Sequence, residues 1–284
     1  MSERALFGPA GNGDAFSKQY KSSAHAPEYL AGLGLDVYEY QCGRGVNIGK
    51  TAAAAIGDAA KRHGITVSLH APYFISLSSP DPERIQKNLE YILASCEAAA
   101  NMGGDRVVVH CGGLMGLSRE EALANTIRTL SLALAQMEEK GLSAVTLCVE
   151  TMGKRNMLGD LTEVLAICKS DERLLPCVDF GHLNCRMQGG LNGRSAYTLL
   201  LDELENTLGF DRAKHFHSHF SHIEYSAGGE VRHLTLEDTV FGPEFKPLAE
   251  VLVRRGYAPR IICESAGTQD IDAALLKDTY TKLL

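Results

Sequence analysis

Several apolar runs in this chain end in a side chain that a buried strand has no apolar reason to carry. Thr66–His70 and Arg106–His110 each close on an imidazole, Cys148-Val149 leads into Glu150, and Ile261-Ile262-Cys263 leads into Glu264. Cys177-Val178 leads into Asp179, with His182 three residues on, and His215-Phe216-His217-Ser218-His219 alternates imidazoles. Taken singly, each reads as a hydrogen-bonded buried histidine or as a carboxylate capping the next helix. Taken together they conflict, because three carboxylates crowded without cations repel one another and some must protonate. Divalent metal ions resolve that conflict. Imidazole and carboxylate are the donors of zinc, with manganese or iron as alternatives. Period-two alternation puts His215, His217 and His219 on one face; His219 lies furthest along and is the expected ligand, with His217 next. His233, after Gly228-Gly229-Glu230-Val231-Arg232, is placed to fold back over the cluster. His222 falls in the loop after the seventh run, and His25 and His63 read as surface residues.

These side chains meet only if the strand ends meet. Short apolar runs alternate with longer helical patterns, which signals repeated βα units and a parallel sheet. The strand candidates are Ala5–Gly8, Asp36–Gln41, Thr66–His70, Arg106–His110, Ala144–Glu150, Leu174–Asp179, His215–Phe220 and Arg260–Glu264. Helical stretches follow them. Pro82–Asn101 has apolar residues at helical spacing, and Ser118-Arg119-Glu120-Glu121 is a capping box opening a helix to Lys140. Asp160–Lys169, Ala196–Leu208, Pro243–Arg255 and Asp270–Leu284 complete the set. No Gly-x-Gly-x-x-Gly opens the first helix, so a dinucleotide fold loses its main support. The fold expected is α/β, a single (β/α)8 TIM barrel spanning residues 1–284 as one domain, whose strands deliver their C-terminal ends to one mouth.

Composition narrows the function further. The eight cysteines include no Cys-x-x-Cys pair and sit mostly in apolar runs, so they are expected to be reduced core residues. A formal charge of −7 gives no whole-surface attraction to polyanions, so a nucleic-acid substrate requires positive charge concentrated at the site. Arg44, Lys50, Lys154, Arg155, Arg186, Arg194 and Arg232 fall in the expected βα loops and are candidates for such a rim. No apolar run reaches a membrane span of ~18 residues and the first residues lack a signal-peptide layout, so a soluble, cytoplasmic protein is expected, with no membrane partner.

The order of these pieces resembles the endonuclease IV family of apurinic/apyrimidinic DNA endonucleases. The matching pieces are Leu69-His70-Ala71-Pro72-Tyr73, Val109-His110, Val149-Glu150-Thr151-x-Gly153-Lys154, Val178-Asp179-Phe180-x-His182, His219-Phe220-Ser221, Arg232-His233 and Cys263-Glu264. The resemblance implies a xylose isomerase-like barrel acting as a monomer on duplex DNA with abasic sites. It implies hydrolysis of the phosphodiester 5′ to the lesion to leave a 3′-hydroxyl, as in base excision repair. It also implies two to three zinc ions: one on His70, His110 and a bridging Glu150, a second on Glu150, Asp179, His219 and Glu264, and a third on His182 and His233. Glu150 and Glu264 would be catalytic, and Arg44, Tyr73 and Phe74 would contact DNA. Two departures stand out: Val231 occupies the place of an expected aspartate, with Glu230 one position off, and Ser221-His222 replaces a usual Asn-Asp. A single-metal sugar isomerase or epimerase would need only Glu150, Asp179, His219 and Glu264, and a non-catalytic binding barrel would need none of them.

Overall fold

The computed structural model describes residues 3–284. Strands β1 (Leu6–Pro9), β2 (Val37–Gln41), β3 (Thr66–His70), β4 (Arg106–His110), β5 (Thr146–Glu150), β6 (Leu174–Asp179), β7 (His217–Phe220) and β10 (Arg260–Cys263) form one parallel eight-stranded sheet. Its order is β1-β10-β7-β6-β5-β4-β3-β2, and the ends close on each other. Asp36 N donates to Phe7 O and Gly11 N to Glu39 O, each at 2.8 Å, and Ala10 bridges Glu39. The expected (β/α)8 barrel is therefore present, with β3, β4 and β6 at the expected bounds.

The remaining strands differ at their ends for physical reasons. Asp36 and His215, expected inside strands, precede them. The Asp36 carboxylate instead accepts from Phe7 N at 3.1 Å and pairs with Lys277 at 2.7 Å, tying β1 to the last helix. His215 lies at the far end of the barrel, where its carbonyl accepts from Arg106. Ala5 and Ala144 likewise fall outside the sheet, and β10 stops at Cys263, so Glu264 stands just past the ladder.

Helices fill the outside. Short helices α1 (Asp14–Gln19) and α2 (Ala26–Gly32) follow β1, and α3 (Lys50–His63) follows β2. Pro82–Asn101 is α4 as expected, α5 (Arg119–Glu139) carries the reciprocal Ser118/Glu121 box, and α6 (Leu161–Lys169) carries another from Asp160 and Glu163. Beyond β6 come α8 (Gly193–Leu208), α9 (Phe210–Lys214), α10 (Phe245–Arg255) and α11 (Gln269–Thr281). Because strand residues alternate, Val107 and Val109 pack outward under the helices, while Val108, Cys148 and Cys177 form a small apolar cluster inside the barrel. All eight cysteines are free and buried, and burial pushes the Cys42 and Cys148 thiols up to about 12. Among the described residues no helix is long and apolar enough to cross a membrane.

Two elements beside the mouth were not expected. A short helix α7 (Phe180–Arg186) follows β6 directly, its first turn capped by Asp179. The stretch read as a loop after β7 is a hairpin of β8 (Ile223–Ser226) and β9 (Gly229–His233), antiparallel around Ala227-Gly228. Its register slips between Glu224 and Tyr225: Glu224 faces Arg232 and Tyr225 faces Glu230, so Val231 bulges out, half exposed. The hairpin rests on the loop after β5, with Arg155 N donating to Gly228 O at 3.1 Å. Gly229 has φ +99°, and a Cβ there would sit 2.2 Å from the Gly153 carbonyl oxygen. Gly229→Ala is therefore expected to lift the hairpin and cost about 1–3 kcal/mol. Equilibrium denaturation checks this; a stability equal to wild type would contradict the close approach.

Candidate metal centre

One carboxylate organises the mouth. Glu150 ends β5, where the ladder delivers it inward, and it is almost completely buried. Its Oε2 lies 3.1 Å from His70 Nε2 and 2.9 Å from His110 Nε2. Its Oε1 lies 3.1 Å from His219 Nδ1 and 3.3 Å from His182 Nδ1. Four imidazoles from β3, β4, β7 and α7 thus face a single carboxylate, two to each oxygen. Glu264 approaches from the end of β10, its Oε2 3.4 Å from His219 Nδ1.

At the mouth, among the described residues, the donors sort into three groups whose ligand atoms lie within 4.8 Å of one another: His70, Glu150 and His219; Glu150, Asp179, His219 and Glu264; and His182, Glu230 and His233; a fourth, Cys177, His217 and His219, lies deeper. All the sequence-derived ligands are therefore gathered at one mouth, His110 through its contact with Glu150. Glu230, one position from Val231, joins His182 and His233, because the bulge turns Val231 outward. Glu230 Oε2 lies 3.5 Å from His182 Nε2. Ser221 serves the same group: its hydroxyl lies 2.9 Å from His233 Nδ1. His222 points away, its Nδ1 3.0 Å from the Asp238 carbonyl.

Hydrogen bonds on the outer side set the rings. His70 Nδ1 lies 2.7 Å from Ala71 O and His182 Nδ1 2.9 Å from Thr151 O. A carbonyl only accepts, so each Nδ1 carries a hydrogen and Nε2 is the nitrogen each ring turns toward the other groups of the mouth. Asp179 Oδ1 accepts from His182 N at 2.7 Å, but its buried Oδ2 has no hydrogen-bond partner, although His182 Nδ1 is 3.0 Å away. A buried carboxylate oxygen left open beside two further acids and an imidazole fits a cation.

Electrostatics point the same way. Burial resists ionisation of Glu150, but His219 and His110 outweigh it and hold the carboxyl well below its usual range. Burial likewise opposes charge on Glu264, yet His219 brings it down to about 2. Asp179 is raised to about 6 by burial and by the charges of Glu264 and Glu150, against the pull of His182. Burial opposes charge on His182, but Asp179 and Glu150 carry it well above its ordinary value. Protonated imidazoles thus stand where cations would.

The other sequence-derived residues lie around this centre. Tyr73 and Phe74 follow β3, 50% and 52% exposed; Tyr73 leans on His70 with the rings tilted at 57° and centroids 4.9 Å apart, and its hydroxyl donates to Gln41 at 2.8 Å. Phe74 leans on Tyr91 instead. Arg44 is exposed in the loop after β2. Lys154 lines a cavity of about 420 Å3 above the donors. Arg186 does not belong to a free basic rim: its guanidinium is spent on the carbonyls of Met152, Lys154 and Met157, and Arg155 is bonded to the Arg186 carbonyl. Arg194 and Arg232 pair with Glu250 and Glu224. His25 and His63 are exposed, as expected.

Sequence reasoning missed Glu39. It sits fully buried in β2, bonded to both His217 and His219. The signal was available, since an acid at an inward position halfway along an apolar strand demands partners. His217 lies one step deeper than His219 and contacts Glu39 rather than the mouth carboxylates.

A family model described as the xylose isomerase-like TIM barrel matches residues 27–279. The chain belongs to that family. Within it, this xylose isomerase-like barrel is 30% identical over 280 residues to an uncharacterized protein of Methanocaldococcus jannaschii, covering 98% of this chain and 97% of that one. It is 25% identical over 206 residues to a probable endonuclease 4 of Shouchella clausii, covering 67% and 68%. Among solved structures, a D-tagatose 3-epimerase-like protein superposes with a TM-score of 0.70 at 22% identity, over 90% and 92% of the two chains. Endonuclease IV from Thermus thermophilus superposes at 0.67 and 20% identity, over 92% and 94%. At these identities the superpositions speak to the barrel alone.

With His70 and His182 held above the ordinary imidazole range, a cation entering at neutral pH must displace protons. Raising the pH strips those protons first, so affinity rises with pH. Calorimetric zinc titrations in two buffers of different ionisation enthalpy should give different heats, with about one proton or more released per ion. Identical heats would contradict the protonated imidazoles.

Proposed function

We propose that this barrel is a metal-dependent endodeoxyribonuclease that hydrolyses the phosphodiester 5′ to abasic sites in duplex DNA, leaving a 3′-hydroxyl. One observation carries the reading. Glu150 presents each oxygen to a separate pair of imidazoles, and a further His182, Glu230, His233 group stands beside it. That is more donors than a single ion uses. In this reading His70, His110 and Glu150 hold one ion, Glu150, Asp179, His219 and Glu264 a second, and His182, Glu230 and His233 a third, zinc being the ion that suits these donors. Divalent ions held there supply positive charge to an acidic chain, polarise the phosphodiester and lower the pKa of water to about 7.

The chain's own residues do the rest. Glu150 fixes the spacing between its two flanking donor groups. Glu264 stays ionised and orients His219, while Asp179 ties α7 to the centre through its bond to His182 N. Lys154 and Arg44 meet backbone phosphates by charge. Tyr73 and Phe74 offer exposed ring faces to the gap left by the missing base, and a nucleotide without a base leaves the stack at lower cost than an intact one. The probable endonuclease 4 of Shouchella clausii and its like-named relatives support the same reading.

A second reading draws on one feature. Glu150, Asp179, His219 and Glu264 form a complete group by themselves, and one ion on them would suit a sugar epimerase. Metal analysis separates the two: two to three ions per chain are expected for the nuclease and one for the epimerase. The decisive experiment is a duplex carrying one tetrahydrofuran abasic analogue, incubated with and without chelator. Cleavage that chelator abolishes is expected; intact DNA in both lanes overturns the nuclease. His110→Ala should lower the cleavage rate by at least about 100-fold while the protein still folds, and undiminished cleavage would remove His110 from the centre.

A further inference from the structure

Below the donors lies a carboxylate that the proposed chemistry does not use. Glu39 is fully buried midway along β2, and among the described residues its ion-pair partners are His217 and His219 alone. Ser68 Oγ and His217 Nε2 each donate to Oε2 at 2.8 Å. His219 Nε2 donates to Oε1 at 3.0 Å and Gln41 Nε2 at 3.2 Å. The sheet neighbours of β2 are β1 and β3, whereas β7 lies between β6 and β10. Glu39 therefore reaches across the inside of the barrel to touch both histidines.

Packing does not explain an acid here. Val108, Cys148 and Cys177 show that this interior accepts apolar side chains, and a buried carboxylate costs more than they do unless fully bonded. Its effect on the rings is specific. A carboxylate only accepts, so each imidazole carries a hydrogen on the Nε2 that faces Glu39, and the nitrogen left to meet a cation is Nδ1. For His217 this leaves Nδ1 buried with no partner. For His219 it leaves Nδ1 facing Glu150 and Glu264, at 3.1 and 3.4 Å. The neighbouring rings run the other way: His70 and His182 are anchored through Nδ1 on backbone carbonyls and His233 through Nδ1 on Ser221. The Nε2 of His219 points into the barrel, and Glu39 supplies the acceptor it meets there.

We propose that Glu39 is a positioning residue, a cross-barrel carboxylate that locks His219 in the tautomer presenting Nδ1 to the cation shared with Asp179 and Glu264. The inference rests on the metal centre proposed above and is independent of the DNA substrate. Glu39→Gln keeps the shape but offers one acceptor oxygen where two imidazoles need one each. An amide N–H turned to His219 drives the ring hydrogen onto Nδ1 and removes the lone pair.

The test uses Co2+ as probe, followed by its visible absorption and by competition with a chelator. Glu39→Gln is expected to weaken one Co2+ site by about 10- to 100-fold and to change its spectrum. His217→Gln, which keeps a donor to Glu39 and leaves the His219 contact in place, should stay within about threefold of wild type. Wild-type affinity and spectrum in Glu39→Gln overturn the proposal, as does an equal loss in His217→Gln, which would mark general damage to the interior. Should Glu39→Gln fail to fold, nitrogen-15 histidine spectra of the zinc-loaded wild type decide. A hydrogen on His219 Nε2 supports the assignment and one on Nδ1 overturns it. Neither readout involves cleavage, so failure of the nuclease reading leaves both tests intact.

Discussion

The mouth of this barrel is organised by the meeting of one buried carboxylate with four imidazoles. Glu150 cannot sit in so dry a place alone, and His70, His110, His182 and His219 cannot sit so close together without negative charge between them. Each half of the arrangement makes the other tolerable. The rest of the architecture serves that meeting. Parallel strands bring His70, His110, Glu150, Asp179 and His219 to one rim, α7 begins at once after β6 so that His182 stands beside Asp179, and the bulged hairpin brings Glu230 and His233 over the top.

The interior is layered. At one level Val108 and Cys148 pack as any barrel core does, with Cys177 packed on them and reaching up to His217 and His219. Glu39, Ser68, His217 and His219 make a level of hydrogen-bonded polar groups, and the carboxylate-rich mouth opens beyond it. His219 belongs to both polar levels. One ring nitrogen faces each, so the acid below and the acids above are linked through a single side chain. His217, whose ion-pair partner among the described residues is Glu39, is pushed down to about 4 by burial and stays neutral.

Much of this is legible in the amino-acid sequence. Strand ends carrying His70, His110, Glu150, Asp179 and Glu264 are a local pattern, and parallel alternation of strand and helix is enough to bring them together. His219 was separable from His217 because period two and strand direction rank them by depth. Residues whose meaning is set across the barrel were harder. Glu39 looks like one acid in a mixed strand until its partners on β7 are seen, and no spacing along the chain relates residue 39 to residue 219. The loop arginines misled for a related reason: Arg186 is as charged in sequence as Arg44, but the carbonyls it braces come from a turn that only the fold creates. The hairpin was hidden by its shortness and its bulge, which breaks the two-residue alternation that marks a strand.

The bulge has a wider consequence. Of the three residues in the outermost donor group, two ride on a two-stranded flap and only His182 stands on an element that follows a barrel strand directly. Inserting or deleting one residue in that flap exchanges which side chain faces inward while every barrel strand keeps its register. The number of acids at the rim is thereby free to change in descendants of this chain through edits of a few codons, with the inner donors undisturbed.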